Sequence, residues 1–341
     1  MRILPLTIGS DEIAHAASMV VSTSLRLAPR QRLVVFADHG SRDLAQALHA
    51  AARDARGAGE VVWLDPLRAA PLKVLPEDVV ERLGAAQASV FVASSRTDEL
   101  PMRQHLLHLV AALGLRHAHM PSISRLAFAR GLRVDYREVA AAGRRLLAKV
   151  VGARSLHVKS PFGTDLTITF DERPAWFSQL GVLDLGRWGN LPAGALYATP
   201  ASADGVFVAS ASVGEFFGAR EGLLRDKPVR FELEGGRVTH VAAPRAPDLE
   251  RDLAAMLRIA PQADRVGLVS LGVNGGITSA TGEALVDQNL PGLHLGIGDP
   301  ATHTTGATWS ARAAFAACGS AATVTAEGAV LVKDGRLVEP A

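Results

Sequence analysis

The stretch that decides the fold of the first half of the chain is RLVVFAD at residues 32–38, followed by SRDLAQALHAAARDARG at 41–57 and EVVWLDP at 60–66. The first and third segments are short apolar runs rich in β-branched residues, which favour strands. The middle segment places its apolar residues at helical spacing. A strand, a helix and a second strand in this order predict a βαβ unit with parallel strands.

The same alternation continues toward residue 114. EDVVERLGAA at 77–86 predicts a helix, ASVFVAS at 88–94 a strand, and DELPMRQHLLHLVAALG at 98–114 a second helix. The first 130 residues therefore predict a mostly parallel sheet covered by helices. VDYREVAAAGRRLLAKVV at 134–151 predicts a long linking helix, and we place the end of an N-terminal α/β domain, residues 1–150, within it.

The second half predicts an α+β domain, residues 151–341, that is rich in antiparallel sheet. SLHVKSP at 155–161, TDLTITF at 164–170 and GVFVASASV at 205–213 favour strands, and PDLERDLAAML at 247–257 favours a helix. Two hairpins are predicted at 229–243 and 322–338, because Gly-Gly and Asp-Gly supply the positive φ angles that tight turns need.

Composition excludes several functional classes. The chain has 341 residues, 48% of them hydrophobic and 21% charged, which is typical of globular proteins. The net charge is +2 with scattered arginines, so we expect no nucleic-acid partner. No run of 18 apolar residues and no signal-peptide core is found, so we predict no membrane insertion and a cytoplasmic location. Cys318 is the single cysteine, which rules out an internal disulfide and a multi-cysteine metal site.

Five segments in order carry a resemblance to a known family. From about residue 116 to 338 the chain resembles the thermophilic aminopeptidase T (leucyl aminopeptidase-like) family of metallopeptidases, and more distantly the 2,5-dihydroxypyridine 5,6-dioxygenases. The fold implied is the two-domain fold of that family. The segments are GLRHAHMPSISRLAFARGLRVDYREV at 114–139, SPFGTDLTITF at 160–170, GNLPAGALYATP at 189–200, VGLVSLGVNGGITSATGEAL at 266–285 and GLHLGIGDP at 292–300.

The resemblance implies two divalent metals held by carboxylates and histidines, but most of these ligands are missing here. The first glutamate falls at Ala195, and the second falls near Ser270, where no carboxylate lies between Arg265 and Gly282. His294 matches a ligand histidine. The late His-x-Asp pair, which the iron site of the dioxygenases also needs, falls in 304–314, which contains neither residue type. Since a catalytic zinc site normally has three protein ligands, we predict a metal-free protein without a cofactor.

The leading hypothesis is a catalytically degenerate aminopeptidase-like protein that binds a peptide or peptide-derived ligand in the cleft between the domains. It would act as an accessory protein for a partner enzyme in a biosynthetic or processing pathway, and we expect a homodimer, because the family's members are similar in being dimers. The predicted ligand-binding residues are Trp188, Ala195, Tyr197, Ser270, Asn274, His294, His303, Trp309 and Arg312.

A second hypothesis is a metal-independent enzyme acting on a small peptide-derived or aromatic metabolite. His294 or His303 would serve as acid or base, and Arg187 or Arg312 would bind an anionic group. An active metallo-aminopeptidase is the third interpretation. A structural role is the plain alternative for His294.

Other candidates have plain structural explanations as well. A purely structural role is also the simpler interpretation of Asp165 and Cys318, and an amphipathic helix edge explains His105 and His108. His117 and His119 alternate along one predicted strand, so both point the same way and favour a polar cleft lining.

Overall fold

The computed structural model describes residues 8–68, 71–171 and 175–338. The α-helices within these ranges are α1 Ser10–Met19, α2 Arg42–Asp54, α3 Glu77–Gly84, α4 Leu100–Ala112, α5 Arg125–Gly131, α6 Tyr136–Val150, α7 Glu215–Glu221, α8 Pro247–Met256, α9 Ala284–Asp287 and α10 Thr302–Thr305. A π-helical turn, Val20–Ser24, continues α1.

The strands of the first half are β1 Arg32–Ala37, β2 Ala58–Trp63, β3 Ala88–Phe91, β4 Arg116–His119, β5 Ser155–Lys159, β6 Asp165–Thr169, β7 Phe177–Gln179 and β8 Arg187–Asn190. Those of the second half are β9 Ala195–Ala198, β10 Ser202–Ala209, β11 Ser212–Val213, β12 Val229–Glu234, β13 Arg237–Ala242, β14 Val266–Gly272, β15 Gly292–Gly298, β16 Ala314–Cys318, β17 Thr323–Ala326, β18 Ala329–Lys333 and β19 Arg336–Leu337.

The chain divides into two compact units. The first contains residues 1–138 and 181–192, and the second contains 139–180 and 193–341. The sequence-based boundary at residue 150 differs from this division in two places. Most of α6 belongs to the second unit, and the segment 181–192 returns to the first unit because β8 pairs with β4.

A five-stranded sheet in the order β2-β1-β3-β4-β8 forms the centre of the first unit. Every neighbouring pair is parallel. Five of the six residues of β1 are buried, as expected for a central strand that is covered on both faces. Phe36 and Phe91 stack with ring centroids 6.3 Å apart in this core. The predicted parallel sheet with helices is therefore confirmed.

Two antiparallel sheets form the second unit, which confirms the predicted α+β domain. One has eight strands in the order β13-β12-β10-β6-β5-β17-β18-β19, and the other has six in the order β11-β16-β15-β14-β9-β7. The predicted hairpin β12–β13 turns at Gly235 and Gly236, both with positive φ, and the β18–β19 turn has positive φ at Asp334 and Gly335. The six-stranded sheet carries the site described below.

Within the described ranges, no helix has both the length and the apolar character needed to cross a membrane.

Candidate functional site

Three polar side chains form a row across neighbouring strands of the six-stranded sheet. Tyr197 on β9 pairs with Ser270 on β14, and Ser270 pairs with His294 on β15. Residues that face each other across antiparallel strands have Cβ atoms about 5 Å apart. The sheet register therefore brings together three of the predicted ligand-binding residues.

His294 is buried on β15, with only 1% of its surface exposed. Its Nε2 atom lies 2.9 Å from the carbonyl oxygen of Leu290. Because a carbonyl oxygen only accepts, Nε2 carries the proton and Nδ1 is left as an acceptor. Burial lowers the pKa of His294 to about 4, so the ring is neutral near pH 7.

The Nδ1 atom of His294 is buried and has no hydrogen-bond partner in the described part of the chain. A buried polar atom of this kind is uncommon in folded proteins and calls for an explanation, such as an unplaced ligand or water. It is therefore the feature of the row that points most directly to a bound molecule.

The other two members of the row have defined surroundings. The hydroxyl of Ser270 donates to the backbone carbonyl of Gln288 at 3.2 Å. Tyr197 stacks on Phe177 with ring centroids 5.0 Å apart, and burial raises the pKa of its hydroxyl above the usual value. Both hydroxyls are therefore neutral at physiological pH.

A cavity of about 960 Å³ lies in the second unit, and the three residues of the row line it. This volume is at the upper end of the range for sites that hold drug-sized molecules. The remaining lining is mostly apolar and comes from α7, α8, the segment near α9, and the strands β14 to β16. Its larger apolar side chains are Phe216, Phe217, Met256, Ile259, Leu268, Leu285, Leu295 and Phe315.

Some residues that line the cavity are exposed to solvent, both apolar and acidic. Phe216 is 78% exposed and Ile259 is 66% exposed. Among the described residues of the lining, the charged ones are Glu215, Asp252 and Asp299, and none is a lysine or an arginine. In the described part of the chain, the cavity lining is thus mostly apolar, and its charged side chains are all acidic.

The donor set does not fit the divalent metals that the family resemblance implies. Ala195 lies fully buried on β9 with a methyl group in place of a carboxylate. Ser270 and His294 add one neutral hydroxyl and one imidazole. Across residues 8–68, 71–171 and 175–338, no group of three or more histidine, cysteine, aspartate or glutamate side chains is placed to hold a metal ion. The described residues therefore offer no first coordination sphere for zinc or iron.

The remaining predicted site residues do not line this cavity. Asn274 is buried, and its amide donates to the carbonyl of Ala193 at 2.8 Å, which fixes a loop. His303 is exposed on α10, Arg312 is exposed, and the guanidinium of Arg265 lies 4.3 Å from the Trp309 ring.

Trp188 and Arg187 lie on β8 in the first unit, where Trp188 is 46% exposed. Its ring makes an edge contact with His119, whose Nδ1 lies 3.1 Å from His117 Nε2. The functional roles assigned to all these residues stay predictions.

Two cavity features were not predicted from the sequence. Phe216 and Phe217 lie in the first turn of α7, which begins at Glu215, and Gln288 follows α9. The Phe-Phe pair next to Gly214 is the sequence signal that indicates an apolar surface there, and in the structure Phe216 is exposed whereas Phe217 is buried.

The comparisons with known proteins define the family. The sequence profile of the thermophilic metalloprotease family (M29) matches residues 140–324. The match covers more than half of the chain, so the chain belongs to this family, and the family recognised from the sequence is confirmed. A search of curated proteins found no significant match.

Two solved structures share the fold. A 2,5-dihydroxypyridine dioxygenase from Pseudomonas putida KT2440 superimposes with a TM-score of 0.67 at 18% identity, covering 98% of this chain and 99% of that chain. AmpT from Thermus thermophilus superimposes with a TM-score of 0.62 at 17% identity, covering 96% of this chain and 99% of that chain. At these identities the likeness establishes the fold alone.

Proposed function

We propose that this chain is a metal-free member of the thermophilic metalloprotease family that binds a peptide or peptide-derived ligand in the cavity of its second unit. The observation that carries the proposal is the unpartnered Nδ1 of His294, a residue that lines a large and mostly apolar cavity. Apolar pockets with a few fixed polar groups are the usual form of small-molecule sites. The protein would serve as an accessory to an enzyme of a biosynthetic or processing pathway.

The missing carboxylates support binding rather than metal-dependent hydrolysis. Peptide hydrolysis by a metal needs an ion that activates water and polarises the carbonyl. Ala195 and Ser270 supply no anionic ligand, and His294 alone falls short of a three-ligand site. The cavity, with its apolar walls, remains available for a ligand.

Ligand-observed NMR with leucine- and phenylalanine-containing di- and tripeptides tests the proposal. A cavity-filling variant, Ala316→Trp, should abolish saturation transfer to any peptide that binds, because Ala316 lines the cavity. Ala329→Trp is the matched control, since Ala329 is exposed on β18 in the eight-stranded sheet. Binding that survives Ala316→Trp, or chelator-sensitive hydrolysis of aminoacyl-anilides, would refute the proposal.

The second candidate, a metal-independent enzyme, rests on the same nitrogen. A neutral imidazole beside a bound substrate can accept a proton, although a pKa of about 4 makes His294 a weak base. Incubation with candidate metabolites followed by mass spectrometry separates the two functions, because a binding protein returns its ligand unchanged. A new product that His294→Gln and His303→Ala fail to form would favour the enzyme.

The proposal also includes a cytoplasmic homodimer. Exposed strand edges near the C-terminus favour a covering partner copy. Light scattering at micromolar concentration that gives a monomer mass would contradict this part of the proposal.

A further inference from the structure

The polarity of the cavity limits what can bind there. The lining residues that the structure describes include the carboxylates of Glu215, Asp252 and Asp299 and no cationic side chain. The Asp252 carboxylate is already paired with Arg220 at 2.7 Å. A ligand carboxylate in this cavity would lose its hydration without gaining an ion-pair partner, which is costly in an apolar site.

Among the described residues that line the cavity, His294 offers a hydrogen-bond acceptor without a partner. Nε2–H of His294 donates to the Leu290 carbonyl, and the hydroxyl of Ser270 donates to the Gln288 carbonyl. Nδ1 of His294 is left as an acceptor without a partner in the described chain. A ligand that forms a hydrogen bond with Nδ1 must therefore supply the donor.

From these observations we infer that the cavity selects apolar ligands that lack a carboxylate and that donate one N–H or O–H group to Nδ1 of His294. The inference rests on the proposed binding function and narrows its ligand class. Among peptide-derived molecules it favours cyclic or amidated peptides over linear peptides with a free C-terminus. Such ligands keep amide N–H donors while carrying no carboxylate.

A matched set of probes tests the role of the donor and of the charge. Cyclo(Leu-Phe) carries two amide donors and no carboxylate, its N,N′-dimethyl form lacks the donors, and linear Leu-Phe has the carboxylate. A parallel set without peptide character is 2-naphthol, 2-methoxynaphthalene and 2-naphthoate. Dissociation constants are measured by calorimetry or NMR titration with the full chain.

We expect the donor-bearing neutral member of at least one set to bind at least tenfold more tightly than its methylated and its carboxylate-bearing counterparts. Titration of the wild-type protein should also shift the ¹⁵N resonance of His294 Nδ1, which needs no variant. In His294→Phe the donor-bearing probe and its methylated counterpart should bind with about equal dissociation constants. His294→Gln, which offers a carbonyl acceptor, should retain part of the preference.

The outcomes separate this inference from the proposed function. Tighter binding of linear Leu-Phe than of cyclo(Leu-Phe) would overturn the inference and leave peptide binding standing. A donor preference seen only for 2-naphthol, with no peptide probe bound, would support the inference and refute peptide binding. An unchanged Nδ1 resonance with saturated ligand, or no probe bound at millimolar concentration, would overturn the inference.

Discussion

Acid should destabilise the protein through His294, and the size of the effect follows from its burial. Burial lowers the pKa of the imidazole from its ordinary value of 6.5 to about 4. In the unfolded chain the ring binds a proton below pH 6.5, whereas in the folded chain it stays neutral until about pH 4. The unfolded state therefore binds more protons in this window, and stability falls as the pH falls.

The size of the stability loss follows from the one extra proton that the unfolded state binds over the pH interval between the two pKa values. At about 1.4 kcal/mol per pKa unit, the difference between 6.5 and about 4 gives a loss of about 3 kcal/mol by pH 4. The side chain is 1% exposed, so solvent screening does not reduce this figure much. Above pH 6.5 the contribution is complete and independent of pH.

The assay compares urea unfolding of the wild type and of His294→Gln at pH 7.0, 6.0, 5.0 and 4.5. Glutamine does not titrate. The free energy of unfolding of the wild type minus that of His294→Gln should therefore fall by about 1.4 kcal/mol for each unit by which the pH is lowered within the window. Other groups, such as Asp287, whose pKa is raised by burial, are present in both proteins and cancel. A difference that stays constant between pH 6.5 and 4.5 would refute the buried neutral imidazole.

Three further outcomes are expected. Arg68→Ala should cost about 3–5 kcal/mol in urea unfolding, because two buried carboxylates lose their guanidinium partner; a loss below about 1 kcal/mol would contradict this. Gly272→Ala should cost about 1–3 kcal/mol, because a Cβ there would overlap the Leu290 carbonyl that also binds His294; an unchanged melting temperature would refute the packing argument. Ala195→Glu should not create tight zinc binding in calorimetric titration, since one carboxylate and His294 fall short of three ligands; stoichiometric tight binding would overturn that expectation.

Local patterns were sufficient to predict most of the fold. The apolar run at 33–37 predicted an interior parallel strand, because apolar side chains on both faces of a strand indicate burial on both faces, and all five residues are buried. Gly235 and Gly236 gave the hairpin turn because both positions require positive φ. These features depend on a few neighbouring residues, which the sequence displays directly.

The strand β8 could not be found in this way. Its four residues, Arg187–Asn190, are half-buried or exposed and carry no alternating pattern. Pairing with β4 is what makes this segment a strand, and that pairing joins residues about 70 positions apart in the chain. For the same reason the return of 181–192 to the first unit was missed.

The candidate site also depends on contacts between residues that are far apart in the chain, which local patterns do not reveal. Sheet register places Tyr197, Ser270 and His294 side by side, although they are far apart in sequence. The order of the matching segments in the family resemblance indicated these positions but gave no distances. It could not distinguish these three residues, which line the cavity, from His303, Trp309 and Arg312, which do not. The cavity walls that α7 and α8 form depend on tertiary packing, which the sequence does not display. The Phe216-Phe217 pair is the part of these walls for which the sequence carries a signal.

The replacement of a carboxylate by Ala195 and the neutrality of His294 have one physical explanation. A glutamate at a fully buried position of β9 would need a cation, because an unpaired buried charge is strongly destabilising. Once the remaining ligands are absent, a methyl group is the stable occupant, and the nearby imidazole remains uncharged because burial lowers its pKa. The row of Tyr197, Ser270 and His294 then carries no charge, and we expect the unpartnered Nδ1 of His294 to determine which ligands fit.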